Sequence, residues 1–157
     1  MGKNGSSPPT QGIISRMANK SATVIVSNRL PVSVNRGKGG KLEFEASSGG
    51  LATAMASLDA KDKLWVGWPG IDAETLTDDE RTQITETLAG HGCYPVFLTA
   101  DEVELYYEGY ANDTLWPLFH YFQNVARYSG DYWQAYQTVN EKFADATMQA
   151  SASDARI

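Results

Sequence analysis

The run Ala22-Thr-Val-Ile-Val-Ser27 constrains the fold more than any other stretch of the chain. Its apolar residues do not alternate with polar ones, so a strand built from them is fully buried. That pattern fits the middle of a parallel sheet, and parallel strands need helical crossovers between them. Pro31 stops the run, because proline has no N–H to give a ladder. Leu64-Trp-Val-Gly-Trp68, closed by Pro69-Gly70, reads as a second strand, and Tyr94-Pro-Val-Phe-Leu98 as a third.

The segments between these runs complete an α/β pattern. Val32-Ser-Val34 and Lys41-Leu-Glu-Phe-Glu45 read as a hairpin around Asn35-Arg-Gly-Lys-Gly-Gly40. The Gly-Lys-Gly-Gly-Lys run lacks Walker spacing and the Ser/Thr after lysine, which favours a flexible hairpin tip over a phosphate loop. Ser47 to Leu58 reads as a Gly-rich turn running into a helix. Thr77-Asp-Asp-Glu80 and Thr99-Ala-Asp-Glu102 are two capping boxes. The first opens a helix with Ile84 and Leu88 on one face that stops at Gly90; the second opens one through Tyr107, broken at Gly109. Asp131 to Ala150 carries Trp133, Tyr136, Val139, Phe143 and Ala146 at helical steps. Strands alternating with helices in this order predict a doubly wound, Rossmann-like α/β sheet. Ala155-Arg-Ile157 reads as the start of another strand, so the chain is expected to stop inside an element and its unfinished sheet to associate.

At 157 residues the chain fits one domain, spanning 21–157 after a disordered Gly/Ser/Pro/Asn/Lys-rich leader over 1–20. A net charge of −6 argues against nucleic-acid and anionic-membrane partners. With a single cysteine, Cys93, no internal disulfide forms, and neither a membrane span nor a signal peptide is visible. The expected location is cytoplasmic. The sequons at Asn19 and Asn112 and the myristoylation-like Met1-Gly2-Lys3-Asn4-Gly5-Ser6 read as chance matches.

Six residues carry candidate chemistry. Arg29, in Ser27-Asn-Arg29, follows the first strand at the edge where open α/β sheets bind ligands. Its fork suits a phosphate, and a surface arginine paired with a carboxylate is the alternative. Gly49 and Gly50 precede a helix, where backbone N–H groups accept an anion, although a plain turn explains them too. Trp68 reads as a sugar platform or as core. In Tyr106 to Phe122, YYEGYANDTLWPLFHYF, the residue before Pro117 is pushed extended. This points Trp116 into a cleft beside Tyr107, with Phe119, Tyr121 and Phe122 assigned to the core. His91, Cys93 and His120 assemble neither a triad nor a metal site, and no carboxylate pair is singled out.

These segments resemble the N-terminal part of the trehalose-6-phosphate synthases, retaining glycosyltransferases with two Rossmann domains in the GT-B arrangement. The resemblance spans about residues 22–157, on VIVSNRLPV, SGGLATAM, LWVGWPG, YYEGYANDTLWPLFHYF and YWQAYQTVNEKFAD. It implies transfer of glucose from UDP-glucose to glucose 6-phosphate, with no cofactor, metal or covalent enzyme intermediate. By motif it places Arg29, Tyr107, Trp116 and Trp68 on the acceptor side, and Gly49 and Gly50 beside the donor diphosphate. Members of the family continue with a His-Asp-Tyr-His strand and a second, donor-binding domain. The resemblance therefore implies that this chain alone is inactive, and it leaves a homo-oligomer open for the full-length protein. Other phosphorylated acceptors, such as glycerol 3-phosphate, and a non-catalytic regulatory role are the alternatives.

Overall fold

The computed structural model describes residues 23–47 and 63–151. Within them, β1 (Thr23–Arg29), β4 (Lys63–Trp68) and β5 (Cys93–Pro95) form a parallel sheet in the order β1-β4-β5. A separate antiparallel hairpin joins β2 (Val32–Arg36) to β3 (Leu42–Ala46). The helices are α1 (Asp78–Ala89), α2 (Ala100–Val103), α3 (Trp116–Phe119) and α4 (Gly130–Ala150). The predicted helix after Ser47 and the predicted strand at Ala155–Ile157 lie outside the described residues.

β4, not β1, is the central strand of this sheet. Its side chains alternate between two cores, as strand geometry requires. Leu64, Val66 and Trp68 pack with Val139, Phe143, Ala146 and Ala150 of α4. Trp65 faces the other way, toward Ile84 and Leu88 of α1 and Val34 of the hairpin. Helices thus cover both faces, which is the doubly wound arrangement. Each aliphatic side chain buried in this way contributes about 1.5–3 kcal/mol. β1 departs from its predicted full burial: Val26 is 40% exposed, because β1 flanks the described sheet instead of centring it. β5 is also shorter than predicted. Pro95 cannot extend the ladder, yet Val96 N–H still reaches Gly67 O at 2.8 Å.

Both capping boxes form, with Thr77 and Glu80 opening α1 and Thr99 and Glu102 opening α2. Glu80 has a second task. Arg36 of β2 donates to its carboxylate at 2.7 and 3.1 Å and to Thr75 O at 2.5 Å, fastening the hairpin to the start of α1. The Arg36 guanidinium and the Thr77 N–H hold the Glu80 carboxyl down at about 2. That value lies below the ordinary 4.5, so the stabilisation is complete above about pH 5 and is lost as pH falls toward 2. Solvent screening keeps it small.

After α2 the chain widens into a π-helix over Glu104–Leu115. The predicted break at Gly109 is therefore absent; Gly109 is buried inside the widened helix. It is needed there for space, since a Cβ would come within 2.6 Å of the Tyr132 ring of α4. Tyr106 and Tyr110 pack on Tyr136 of α4 at centroid distances of 6.1 and 4.4 Å. The aromatic positions beyond the helix also differ from expectation. Phe119, Tyr121 and Phe122, predicted as core, are 70%, 91% and 53% exposed. Trp133, placed on the inward stripe of the last helix, is 48% exposed and stacks on Tyr136 at 5.6 Å.

Two outcomes are expected. Glu80→Gln should flatten the dependence of the melting midpoint on pH between about 5 and 2, and leave its slope above about pH 6 unchanged. Gly109→Ala should cost about 1–3 kcal/mol in urea unfolding, and less in a Tyr132→Ala background. An equal cost in both backgrounds would exclude the ring as the cause.

Candidate functional site

The C-terminal end of β1 is shaped by what β4 lacks. The β1–β4 register shifts between Val26 and Arg29, so two residues of β1 bulge opposite Gly67. A Cβ on Gly67 would lie 2.9 Å from Ser27 O and 3.0 Å from both Arg29 C and Leu30 N. Only glycine admits that approach. Hydrogen bonds then fix the bulge: Trp65 Nε1–H donates to Ser27 Oγ at 2.6 Å, and Ser27 Oγ donates to Arg29 O at 2.6 Å. Leu30 N–H closes onto Trp68 O at 3.0 Å.

Arg29 leaves this edge with its guanidinium 4.7 Å above the Trp68 ring. The surface-arginine alternative does not hold among the described residues. There Arg36 and Arg127 pair with Glu80 and Asp113, and Arg81 donates to Ala73 O, whereas Arg29 has no carboxylate partner. A cation resting on an indole face keeps its donors free while its hydrophobic side is sheltered. Of its two readings, Trp68 takes the core one. It is buried in the α4-side core with Nε1–H donating to Ile71 O at 3.1 Å, and its ring is the shelf for Arg29. Asn28 Oδ1, in the same bulge, is buried and accepts no hydrogen bond. Sequence reading gave Asn28 no role of its own, and no residue pattern marks it.

Tyr107 and Trp116 sit on a different element, at the two ends of the π-helix region. Tyr107 is half-buried, and Trp116 opens α3 with 51% of its surface exposed. The extended backbone predicted for Trp116 is not found: its φ and ψ are −59° and −51°. Pro117 falls at the junction where the π-helix passes into α3, and the helical backbone continues through it. The ring contacts of Trp116 are with His120 and Phe122. The structure thus brings Arg29 and Trp68 into contact, and sets Trp116 in an aromatic cluster of its own. Gly49 and Gly50 lie outside the described residues.

Burial pushes the Cys93 thiol up to about 12, and His91 Nδ1 is 2.9 Å from Thr87 O. Among the described residues no three His, Cys, Asp or Glu side chains converge as metal ligands, and no helix is long and apolar enough to cross a membrane. A cavity of about 240 Å³ runs between β5 and α4, lined by Tyr94–Phe97 and by Lys142, Asp145, Ala146 and Gln149. It contains none of the predicted site residues.

Residues 21–157 match the family model of glycosyltransferase family 20. The chain belongs to this family. Among its relatives is a bifunctional trehalose-6-phosphate synthase/phosphatase of Thermoproteus tenax, 44% identical over 135 residues, covering 80% of this chain and 17% of that protein. A trehalose-6-phosphate synthase of Mycobacterium sp. strain KMS is 41% identical over 137 residues, covering 85% and 26%. The crystal structure of a UDP-forming trehalose-phosphate synthase from Burkholderia xenovorans superposes with a TM-score of 0.59 at 25% identity, covering 86% and 25%. The parallel sheet, helix-covered on both faces, is accordingly the N-terminal Rossmann-like part of the GT-B fold of this family. The chain spans about a quarter or less of the length of these relatives.

Gly67→Ala is expected to push β1 from β4 at the bulge and cost about 1–3 kcal/mol, read as a lower urea midpoint. An unchanged midpoint would show that the bulge relaxes without the sheet.

Proposed function

We propose that this chain is the acceptor-binding part of a trehalose-phosphate synthase that transfers glucose from UDP-glucose to glucose 6-phosphate. The observation that carries the reading is Arg29: a guanidinium without a carboxylate partner among the described residues, shelved on Trp68 at the C-terminal edge of a parallel sheet. Ligands of open α/β folds bind at that edge. A planar fork held there grips the acceptor phosphate, and Trp68 acts through Arg29 by fixing its plane. Tyr107 and Trp116 add a hydroxyl, an indole N–H and apolar ring surface for the sugar. Gly49 and Gly50 are assigned to the donor diphosphate, which approaches their backbone N–H groups. The names of the relatives give trehalose 6-phosphate and UDP as products, and the two substrates follow from these.

Transfer requires both substrates to be held in line and the departing diphosphate to be stabilised. The acceptor side is assigned to this part of the family's length, and transfer to the longer protein. The 157-residue chain is therefore expected to bind glucose 6-phosphate without turnover.

Titration calorimetry tests this directly. Glucose 6-phosphate should bind and glucose should not, with glycerol 3-phosphate weaker. Arg29→Ala should weaken binding about 10- to 100-fold, the scale of a lost charge-assisted hydrogen bond. Tighter binding of glycerol 3-phosphate would reassign the acceptor, and binding indifferent to Arg29→Ala would overturn the site.

A further inference from the structure

We propose that His120 is a positioning residue for Trp116, fixing the indole against which the acceptor sugar is received; this rests on the acceptor-site reading above. Trp116 is half exposed at the start of a helix of only four residues, so little of the fold restrains its ring. A binding residue must nevertheless be held close to its productive geometry by its neighbours. His120 supplies that restraint twice. Its imidazole lies on the indole with centroids 4.2 Å apart and planes within 18°. Its Nδ1 is 2.8 Å from Trp116 O. A carbonyl oxygen only accepts, so Nδ1 carries a proton and donates it to this bond. The backbone N–H of His120 donates to the same oxygen at 3.1 Å.

The residues after His120 hold it in place. Tyr121 has a φ of +64°, a left-handed conformation unusual for a tyrosine, and it turns the chain back. Phe122 N–H then donates to Pro117 O at 2.8 Å, and its ring lies within 9° of parallel to the indole at 6.2 Å. This accounts for the exposure of Phe119 to Phe122: the turn serves Trp116 and not the core. It also limits what Trp116 can offer. A ring face covered at 4.2 Å has no room for a sugar, so that face is closed. The indole meets the acceptor with its Nε1–H rim and the face away from His120.

The test separates the stack from the hydrogen bond. His120→Ala removes both, His120→Phe keeps a stacked ring, and His120→Asn keeps a short donor near the carbonyl. Two readouts are followed in the 157-residue chain. One is the NMR resonance of the Trp116 Nε1–H, assigned by its loss in Trp116→Phe; the other is the dissociation constant for glucose 6-phosphate. His120→Ala is expected to shift the resonance and weaken binding about two- to tenfold, the scale of one aromatic pair, at an unchanged melting midpoint. His120→Phe should restore most of both. Wild-type behaviour in His120→Asn would reduce His120 to a helix cap and overturn the proposal. So would unchanged resonance and binding in His120→Ala while Arg29→Ala still weakens binding. A wild-type chain with no affinity for glucose 6-phosphate overturns the acceptor reading instead, and the resonance then still decides whether His120 holds the indole.

Discussion

The structure depends on an absence at Gly67. Strand β4 is the shared wall of two cores, and its side chains fill both layers except at this one position. There the bulged end of β1 comes within contact of bare backbone. Had β4 carried a side chain at this point, β1 would have to run straight past it. Arg29 would then leave the sheet elsewhere, off the ring of Trp68. The fold and the candidate site are in this sense one construction, in which the local misregister of two strands decides where a cation is delivered.

What could be read from the chain follows from how local each signal is. The capping boxes at Thr77 and Thr99 depend on four consecutive residues, and both form as written. The alternation of β4 and the stripe of Val139, Phe143 and Ala146 on α4 are periodic signals, which survive folding because burial enforces them. The failures are tertiary. Gly109 looks like a breaker in sequence, yet the ring of Tyr132, twenty-three positions on, makes glycine the residue that lets two helices touch. Trp116 before proline looks extended, yet a helix already running through Leu115 carries it through. Phe119, Tyr121 and Phe122 look like core by composition, and nothing local announces that they turn outward.

The site shows the same division. Arg29 was visible because ligand edges of α/β sheets are fixed by topology, and Trp68 because it ends a strand beside it. That one rests on the other was not visible, since it requires the bulge. Nor could the sequence set His120 over Trp116, although the four-residue spacing permits it. In both pairs a candidate ligand-contacting group is steadied by an aromatic or heteroaromatic plane, and in both the steadying partner lies on a neighbouring turn or strand.

Trp65 belongs to the layer beneath α1, on the far side of the sheet from the shelf of Arg29. Its indole N–H nevertheless reaches Ser27, and Ser27 reaches the carbonyl of Arg29. Two short hydrogen bonds therefore run from that layer to the backbone of the residue whose guanidinium lies on Trp68. Packing on the hidden side, around Ile84, Leu88 and the hairpin, is mechanically linked to the pitch of that guanidinium. The direction of a charge at the open edge is thus set partly by side chains buried on the other side of the sheet.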